Sequence, residues 1–313
     1  MLGFNQVELS GEQSWAIRAQ NAWLPLLPAV NASLGPRRRL LGRKDRELLG
    51  RIGCLEASLA RSPRDVRQVQ RLRFRIFYDE KSAVPDFWTQ LARRDADPFD
   101  LFCDHMLVTD HSRLVGAARR PEVVGTYRLL RQEVARRTGG FYSAREFALD
   151  PLIARHSGLN FLELGRSCVL PAYRNKRTIE LLWHGIWTYV LSRGMDVMIG
   201  CASLEGTDPD RLAVPLSFLH HFARAPQEWR TTALPGRYVE MKRLPKGAID
   251  TKAALRQLPP LLKGYLRLGA FVADGAVIDR QFGTTDVLVV LPVASIKSRY
   301  IDHFGAGAER HAA

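Results

Sequence analysis

The chain has 313 residues, and with 46% hydrophobic and 25% charged residues it has the composition of a folded globular protein, not of a disordered or collagen-like one. It contains 46 Lys and Arg against 32 Asp and Glu, a net charge of +14, which predicts an anionic partner: nucleic acid, an acidic carrier protein or a phospholipid surface. Its four cysteines lie far apart without a Cys-x-x-Cys pair, which argues against a disulfide framework or a zinc ribbon and favours reduced thiols in the cytoplasm.

The N-terminal segment is apolar at first and then strongly basic. Residues 37–75 hold thirteen basic residues against four acidic ones, most densely in the basic block 37–51. This block is either a solvated linker face or a contact for phosphate-bearing surfaces, where each basic residue contributes about 1 kcal/mol. The apolar stretch around Trp15 and Trp23 either lies in a membrane interface or caps the main domain. We therefore predict a basic, membrane-associating extension over 1–62.

No stretch reaches the roughly 20 apolar residues that a membrane-spanning helix needs. The start of the chain also lacks the basic and apolar regions of a secretory signal. We expect a cytoplasmic protein that contacts the membrane only peripherally.

Hydrophobic periodicity predicts alternating helices and strands beyond the extension. A first helix begins at Arg64, with Asp65 in its first turn, where the helix dipole favours a carboxylate. The elements that follow are two paired strands (105–110 and 122–130), a polar helix or loop (131–140), a strand (161–170), an amphipathic helix (178–194), a buried strand (196–204), two further helices (214–223 and 258–273) and a last strand (285–292). A central mixed sheet with helices on both faces, an α/β (α+β) fold, buries these elements. This order suits acyltransferases that hold a thioester in a splayed cleft beside a central strand, although other α/β folds fit it as well.

Glu163 and Arg166 are the first candidate site residues, because they place a carboxylate and a guanidinium in the strand predicted at 161–170. Three residues apart, they lie on opposite faces of a regular strand, but a bulge permitted by Gly165 turns both toward one side. There Glu163 would hold the ammonium and Arg166 the carboxylate of a zwitterionic amino acid. The alternative is a structural ion pair that contacts no substrate.

The segment between this strand and the amphipathic helix contains three cations, Arg174, Lys176 and Arg177. Acetyl-CoA-dependent enzymes of this general shape have a glycine-rich turn here, whose backbone amides bind a pyrophosphate. No glycine stands between Cys168 and Trp183, so a single phosphodiester, as on a phosphopantetheine arm, fits this helix N-terminus better. The three cations alternatively contact the acidic surface of a carrier protein.

A family resemblance emerges from several segments taken in order. The signature of the acyl-carrier-protein-dependent N-acyltransferases is similar to four stretches of this chain, LRFRIFYDE, DPFDLFCDHMLV, GTYRLL and LELGRSCV. That group has the GNAT-like fold, which it shares with the acyl-homoserine-lactone (autoinducer) synthases. The L-ornithine Nα-acyltransferases of ornithine lipid synthesis are more similar still, through FYSAREF, ELGRSCVLPAYRN, CASLEGTDP, PLSFLHH, LPPLLKGYLRLGA and FGTTDVLVVLP. The resemblance covers residues 64–305 and implies a GNAT-like acyltransferase domain over 63–313.

The resemblance also implies a set of site residues, position by position. They are, in chain order, Arg73, Phe77, Asp100, Asp104, Arg128, Glu163 and Arg166. The first two match the helix motif that shapes the donor and acceptor cleft. The two aspartates match the acidic pair before the first strand, and Arg128 matches a Gly-x-x-Arg pattern. The last two residues match the charged pair of the central strand.

The implied reaction is the aminolysis of a thioester. The α-amine of L-ornithine attacks the carbonyl of a 3-hydroxy fatty acyl chain on acyl carrier protein, which forms lyso-ornithine lipid and releases the phosphopantetheine thiol. Glu163 accepts the proton of the ammonium or only orients the amine. Backbone amides around Cys168 and Val169 polarise the carbonyl. We expect no covalent enzyme intermediate, no cofactor and no metal, since the cysteines fall in apolar strands and the histidines lack metal-ligand spacing.

Alternatives remain open at this point. The same fold could acylate lysine, glutamine or glycine, or take its acyl group from acyl-CoA. A non-enzymatic protein that binds nucleic acid or a membrane would explain the charge, but no RNP, helix-turn-helix or zinc-finger pattern is present, so we expect no nucleic-acid partner. The amphiphilic product implies contact with the anionic inner membrane surface, through Trp15, Trp23 and the basic block.

Overall fold

Residues 47–81 and 83–296 are described in this computed structural model. The predicted membrane contacts at Trp15 and Trp23, and most of the basic block 37–51, lie outside the described residues. None of the described helices is long and apolar enough to cross a bilayer.

The described chain folds into one mixed sheet with helices around it. The strands are β1 Leu48–Ile52, β2 Leu55–Leu59, β3 Asp104–Val115, β4 Arg120–Arg131, β5 Phe161–Val169, β6 Val197–Glu205, β7 Phe271–Val272, β8 Val277–Asp279 and β9 Thr284–Pro292. The α-helices are α1 Pro63–Phe74, α2 Phe87–Ala92, α3 Gln132–Ala135, α4 Leu149–Arg155, α5 Lys176–Arg193, α6 Ala213–Phe222, α7 Thr251–Gln257 and α8 Pro260–Leu268. A π-helical segment, Arg75–Glu80, continues α1, and short 3-10 turns include Pro98–Leu101 and Tyr142–Arg145.

The strand order is β1-β2-β3-β4-β5-β6-β9-β7, with β8 pairing β9 at its side. All neighbouring strands are antiparallel except β5 and β6, which are parallel. The predicted mixed sheet is therefore confirmed, as is the antiparallel pairing of β3 with β4. Every strand and helix predicted from residue 64 onward is present, but α3 fills only part of the predicted polar helix or loop. The helix predicted over 258–273 ends at Leu268, and Phe271–Val272 form the strand β7 instead.

The sheet begins earlier in the chain than the predicted boundary after residue 62. Residues 48–59, which the sequence analysis assigned to the extension, form the hairpin β1–β2, and β2 pairs with β3 along its whole length. Its turn is Gly53–Cys54, where Gly53 has φ +59, a left-handed conformation that glycine adopts without strain. Leu49, Leu55 and Ala57 are buried in this hairpin, although they lie in the strongly basic part of the sequence.

Helices cover both faces of the sheet, as predicted. α5 packs on the face to which Met106 points, close enough that a Cβ on Gly185 would lie 2.8 Å from the Met106 sulfur. α1 packs on the opposite face. The side chain of His105, the residue before Met106, points to that face and hydrogen-bonds the Asp100 carbonyl. Ser62 and Asp65 form a capping box that begins α1, and Gly194 with φ +60 ends α5 as predicted.

β5 and β6 separate soon after they meet. They pair only through Phe161–Glu163 and Val197–Ile199, and from Leu164 onward the described ladder joins β5 to β4 alone. Gly200 stands at the point of separation, where a Cβ would lie 2.3 Å from the Leu164 carbonyl oxygen. One edge of the central strand is thereby left open beside the residues predicted to carry the chemistry.

Candidate functional site

Three arginines and three aspartates meet on the α1 face of the sheet, close to the opening between β5 and β6. They are Arg73 from α1, Arg128 from β4, Arg166 from β5, and Asp95, Asp97 and Asp100 from the segment between α2 and β3. The charges balance, as buried charges must if burial is not to cost several kcal/mol per ion. We call this set the charged cluster.

Arg73 is the most deeply buried member of the charged cluster, with its side chain 1% exposed. Its Nε lies 2.7 Å from Asp95 Oδ2, and its Nη2 donates to Asp100 Oδ2 at 2.6 Å. Gln70, one helical turn earlier in α1, donates to the same Asp100 oxygen at 2.9 Å. Burial alone would raise the pKa of Asp100, but these partners hold it well below its usual value, so Asp100 stays ionised.

Arg128 links the aspartates to the sheet. Its Nη1 donates to Asp97 at 2.6 Å and to Asp100 at 3.2 Å. The same two aspartates form a capping box around the turn Pro98–Leu101, in which Asp97 is the N-cap and Asp100 the third residue. The local sequence Asp-Pro-Phe-Asp thus folds the turn and aims both carboxylates at the arginines.

Arg166 is held more loosely than the other two arginines. Its contacts to Asp95, Asp97 and the Tyr142 hydroxyl are 3.3, 3.3 and 3.4 Å long, and its side chain is 15% exposed. Within the described part of the chain, its Nε has no hydrogen-bond partner. The guanidinium lies 4.8 Å from the Tyr142 ring centre and 5.0 Å from that of Phe282. That buried Nε lies 3.3 Å from Asp95 Oδ2. Arg166 therefore differs from the other two arginines in its longer ion-pair contacts and its more exposed side chain.

A bulge in β5 brings Arg166 onto this face. The β4–β5 register shifts between Thr126 and Arg128, and Arg166 itself has φ +51, a conformation that costs a non-glycine residue about 1–3 kcal/mol. The predicted bulge is present, although the left-handed residue is Arg166 and not Gly165. As a result both Glu163 and Arg166 contact Tyr142, one at its backbone and the other at its hydroxyl and ring.

Both oxygens of the buried Glu163 carboxylate are already occupied. Oε2 accepts from the Tyr142 amide at 2.7 Å, and Oε1 accepts from the Ser143 amide at 2.7 Å and from the Ser143 hydroxyl. Burial raises the pKa of Glu163, and these hydrogen bonds counteract the shift in part. The geometry favours a positioning role for Glu163 over the predicted role of proton acceptor, because the carboxylate fixes the segment that carries Tyr142 against Arg166.

Replacing Glu163 with glutamine tests this role. The amide nitrogen of Glu163→Gln would face backbone donors, so we expect a loss of about 1–3 kcal/mol in the free energy of unfolding and a raised KM for the amino-acid acceptor. The pH dependence of kcat should keep its shape. Ser143→Ala, which removes one of the three donors, is the matched control and should show the same changes in weaker form. If the rise of kcat with pH on the acidic side of the profile disappears in Glu163→Gln while stability is unchanged, Glu163 is instead the base.

The remaining predicted residues are placed in two regions. Phe77 lies at the charged cluster, because its ring packs edge-on against Phe282 at 5.7 Å, and Phe282 lies under Arg166. Asp104 does not belong to the cluster: it lies on the α5 face, where the Tyr189 hydroxyl donates to it at 2.7 Å. Since Asp104 is the first residue of β3, strand alternation turns it away from His105 and the cluster. Asp97, five residues after the end of α2, lies beside Asp100 instead.

Cys168 and Val169 lie at the end of β5, beside the open edge. Cys168 is 6% exposed, and burial raises its pKa to about 12, so its thiol is protonated at neutral pH and is no nucleophile. Val169 pairs with Gly125 of β4, and its carbonyl accepts from Arg174 at 3.0 Å.

The basic turn before α5 is partly neutralised by the chain itself. Arg174 binds Glu80 with both of its terminal nitrogens at 2.6 and 2.7 Å, and Lys176, with its side chain 86% exposed, lies 3.4 Å from Glu180. Arg177 is exposed. Asn175 caps α5 by accepting from the Thr178 amide.

A second polar group, which the sequence analysis missed, lies on the same face of β6 and β9. Glu146, Cys201 and Asp286 place one oxygen or sulfur each within 4.8 Å of one another, the kind of spacing at which side chains can hold a metal ion. The expectation of no metal stays a prediction. Burial and the neighbouring Asp286 raise the pKa of Glu146 to about 7, and Arg237 lies 3.3 Å from its carboxylate. No short motif joins these residues: Cys201 and Asp286 lie on the paired strands β6 and β9, and Glu146 follows the turn Tyr142–Arg145.

Known acyltransferases are similar to this chain over most of its length. The model of an acetyltransferase (GNAT) domain matches residues 72–184. An L-ornithine N(alpha)-acyltransferase of Rhizobium meliloti (strain 1021) is 50% identical over 92% of this chain and 96% of its own length, and one of Brucella abortus (strain 2308) is 51% identical over 85% and 94%. Among solved structures, FeeM, an N-acyl amino acid synthase from uncultured soil microbes, covers 77% of this chain and 91% of its own, with 10% identity and a TM-score of 0.41.

Proposed function

The chain belongs to the L-ornithine N(alpha)-acyltransferase family, and from that membership we propose that it transfers a 3-hydroxy fatty acyl group from acyl carrier protein to the α-amine of L-ornithine. It is an N-acyltransferase with a GNAT domain, as predicted. The proposed product is lyso-ornithine lipid. The observation that carries the proposal beyond the family is the position of the loosely held Arg166 beside the open edge of β5.

The open edge of β5 is where the thioester would bind. From Leu164 onward the described ladder leaves this edge of the strand without a partner, so its backbone groups are available to the amides of a phosphopantetheine arm. The thioester carbonyl would then lie beside residues 168 and 169, whose backbone amides are the proposed oxyanion donors. Because Cys168 is protonated, the amine attacks the thioester directly and the acyl group never transfers to the enzyme.

The charge at the basic turn favours a carrier protein over acyl-CoA as the donor. The turn has no glycine to accommodate a pyrophosphate, and its first two cations are paired with Glu80 and Glu180. Arg177 and the exposed part of Lys176 remain accessible to an acidic protein surface.

The acceptor would bind between the two polar groups. Arg166 donates to the α-carboxylate of ornithine, and the carboxylates of Glu146 and Asp286 accept from the ammonium of its side chain. These groups are within electrostatic reach of one another: burial raises the pKa of Asp286, and the charge of Arg166 counteracts that shift. The α-amine lies between them and loses its proton to water before it attacks.

The acid pair predicts a preference for acceptors with a cationic side chain. We expect Asp286→Asn to raise the KM for ornithine roughly tenfold or more. The KM for glutamine as the acceptor, which has a neutral side chain, should change little. In the parent enzyme the KM for ornithine should fall as the pH rises through about 7, where Glu146 ionises, and Glu146→Gln should remove that dependence. Asp208→Asn, at a carboxylate 52% exposed, is the control. Unchanged selectivity in both acid variants would contradict this assignment.

The donor is tested with purified protein and two thioesters of the same chain length. With L-ornithine present, 3-hydroxyacyl-acyl carrier protein should release thiol and yield one N-acyl-ornithine per thiol. The corresponding acyl-CoA should react at least tenfold more slowly, since it lacks the carrier surface. Equal or faster turnover of acyl-CoA would contradict the proposed carrier and leave the acyl transfer itself intact.

A further inference from the structure

Helix α2 has a large apolar surface that the described chain does not cover. None of its six residues is buried. Phe87, Trp88 and Leu91 are 70%, 72% and 66% exposed, and Val84, just before the helix, is 65% exposed. Single exposed apolar residues are common on soluble proteins, but four of them within eight positions form a patch that indicates an interaction surface. We call these four residues the α2 patch.

The α2 patch is organised and not a frayed end. Asp86 caps the helix by accepting from the Thr89 amide at 2.7 Å, and the rings of Phe87 and Trp88 pack edge-on with centres 5.1 Å apart. Positions 87, 88 and 91 share one face of a helix. The cap and the ring contact therefore hold these side chains in a defined arrangement at the surface.

A row of cations leads to the α2 patch. Arg64, Arg67, Arg71 and Arg75 are exposed and follow one another at intervals of three or four residues, so they lie along one face of α1 and its continuation. The end of α2 is fixed to the end of this row, because Arg93 lies 4.8 Å from the Phe74 ring and pairs with Asp79 at 2.6 Å. We call the four arginines the basic row.

The α2 patch and the basic row together indicate that this surface binds a lipid bilayer. Aromatic and aliphatic side chains beside arginines are what a protein presents to the boundary between lipid headgroups and acyl chains, where the apolar face is buried to a depth of about 5–10 Å. The basic row complements anionic phosphates. An acidic carrier protein would satisfy the basic row as well, but it would leave the rings of Phe87 and Trp88 without an apolar partner.

We propose that the α2 patch inserts into the interface of an anionic bilayer while the basic row binds its phosphates. The surface lies within the described domain and is separate from the N-terminal segment predicted to bind membranes. The inference extends the proposed function, whose product is an amphiphile that has to reach lipid. Vesicle binding is measured without substrates, so its failure is distinguishable from a failure of the acyl-transfer proposal.

The test is sedimentation of the full chain with vesicles of phosphatidylethanolamine and phosphatidylglycerol, and with phosphatidylcholine vesicles for comparison. The double variant Phe87→Ala/Trp88→Ala should bind the anionic vesicles at least tenfold more weakly than the parent. Its acyl transfer from carrier protein in lipid-free buffer should be unchanged. The control Leu114→Ala/Val115→Ala removes two side chains that are 46% and 41% exposed elsewhere, and it should bind like the parent.

A second variant separates the two components of the surface. Arg67→Gln/Arg71→Gln should weaken binding to the anionic vesicles. It should leave the KM for acyl carrier protein unchanged in the lipid-free assay. Parent-like vesicle binding by the Phe87/Trp88 variant, confirmed as folded by circular dichroism, would overturn the proposal. So would a variant that keeps vesicle binding and instead shows a raised KM for the carrier protein, since that result assigns the patch to protein docking.

Discussion

Asp100→Asn should lower the free energy of unfolding by about 3–5 kcal/mol, the cost of breaking a buried ion pair by removing one partner. Asp100 receives hydrogen bonds from Arg73, Gln70 and Arg128, and its side chain is 3% exposed. The asparagine leaves three arginines against two aspartates in a largely buried site. Urea unfolding followed by circular dichroism measures the loss.

The pH dependence gives this prediction a second readout. Because the pKa of Asp100 is lowered by folding, its contribution is present above the unfolded pKa of about 3.9 and is lost as the pH falls below it. The stability difference between parent and Asp100→Asn should therefore shrink below about pH 4. Asp79→Asn, which removes the partner of Arg93 from an exposed pair, is the control and should cost about 0–1 kcal/mol. Equal losses for the two variants would show that the charged cluster does not stabilise the fold.

Arg166→Gln should lower kcat/KM for ornithine about 100-fold, which corresponds to roughly 2.7 kcal/mol of lost binding in the transition state. The reason is that Arg166 has the longest ion-pair contacts and the most exposed side chain of the three arginines in the charged cluster. The loss should appear mainly in KM, because the guanidinium binds the carboxylate both before and during the reaction. Steady-state kinetics with saturating acyl carrier protein thioester measure it.

Putrescine, which is ornithine without its carboxylate, makes this prediction specific. The parent enzyme should discriminate strongly against putrescine, and Arg166→Gln should lose most of that discrimination because it no longer recognises the missing group. The Arg131→Gln variant changes an arginine that pairs with Glu133 outside the charged cluster and serves as the control. If Arg166→Gln slows both acceptors by the same factor, Arg166 acts through the structure of the cluster and not through the carboxylate.

The fold was largely predictable because its signals are local. Alternating or helical hydrophobicity located β3 to β6, β9 and the helices α1, α5 and α6, and Gly194 marked the end of α5. The hairpin β1–β2 was missed, since its strands are only five residues long and follow directly on a basic block. The two-residue strand β7 and the three-residue strand β8 have too few positions for any periodicity to show.

The site was predictable only where one motif held all of its parts. Glu163, Gly165 and Arg166 are close in sequence, so a bulge that joins the two charges could be anticipated. Asp104 was named with Asp100 from the family resemblance, and the structure places it on the other face of the sheet, whereas Asp97 is marked in the sequence only by its capping pattern. The acids Glu146 and Asp286 are 140 residues apart in the chain, one after a 3-10 turn and the other in β9, and no local pattern records their contact.

The nitrogen that receives the acyl group tests the central claim most directly. Purified protein is incubated with 3-hydroxyacyl-acyl carrier protein and L-ornithine labelled with ¹⁵N at the α-position, and tandem mass spectrometry locates the label in the product. The account predicts the label in the amide, together with one free carrier thiol for each amide and no acyl group on the protein. A product with the label in its free amine, or an acyl-cysteine on the chain, would contradict it.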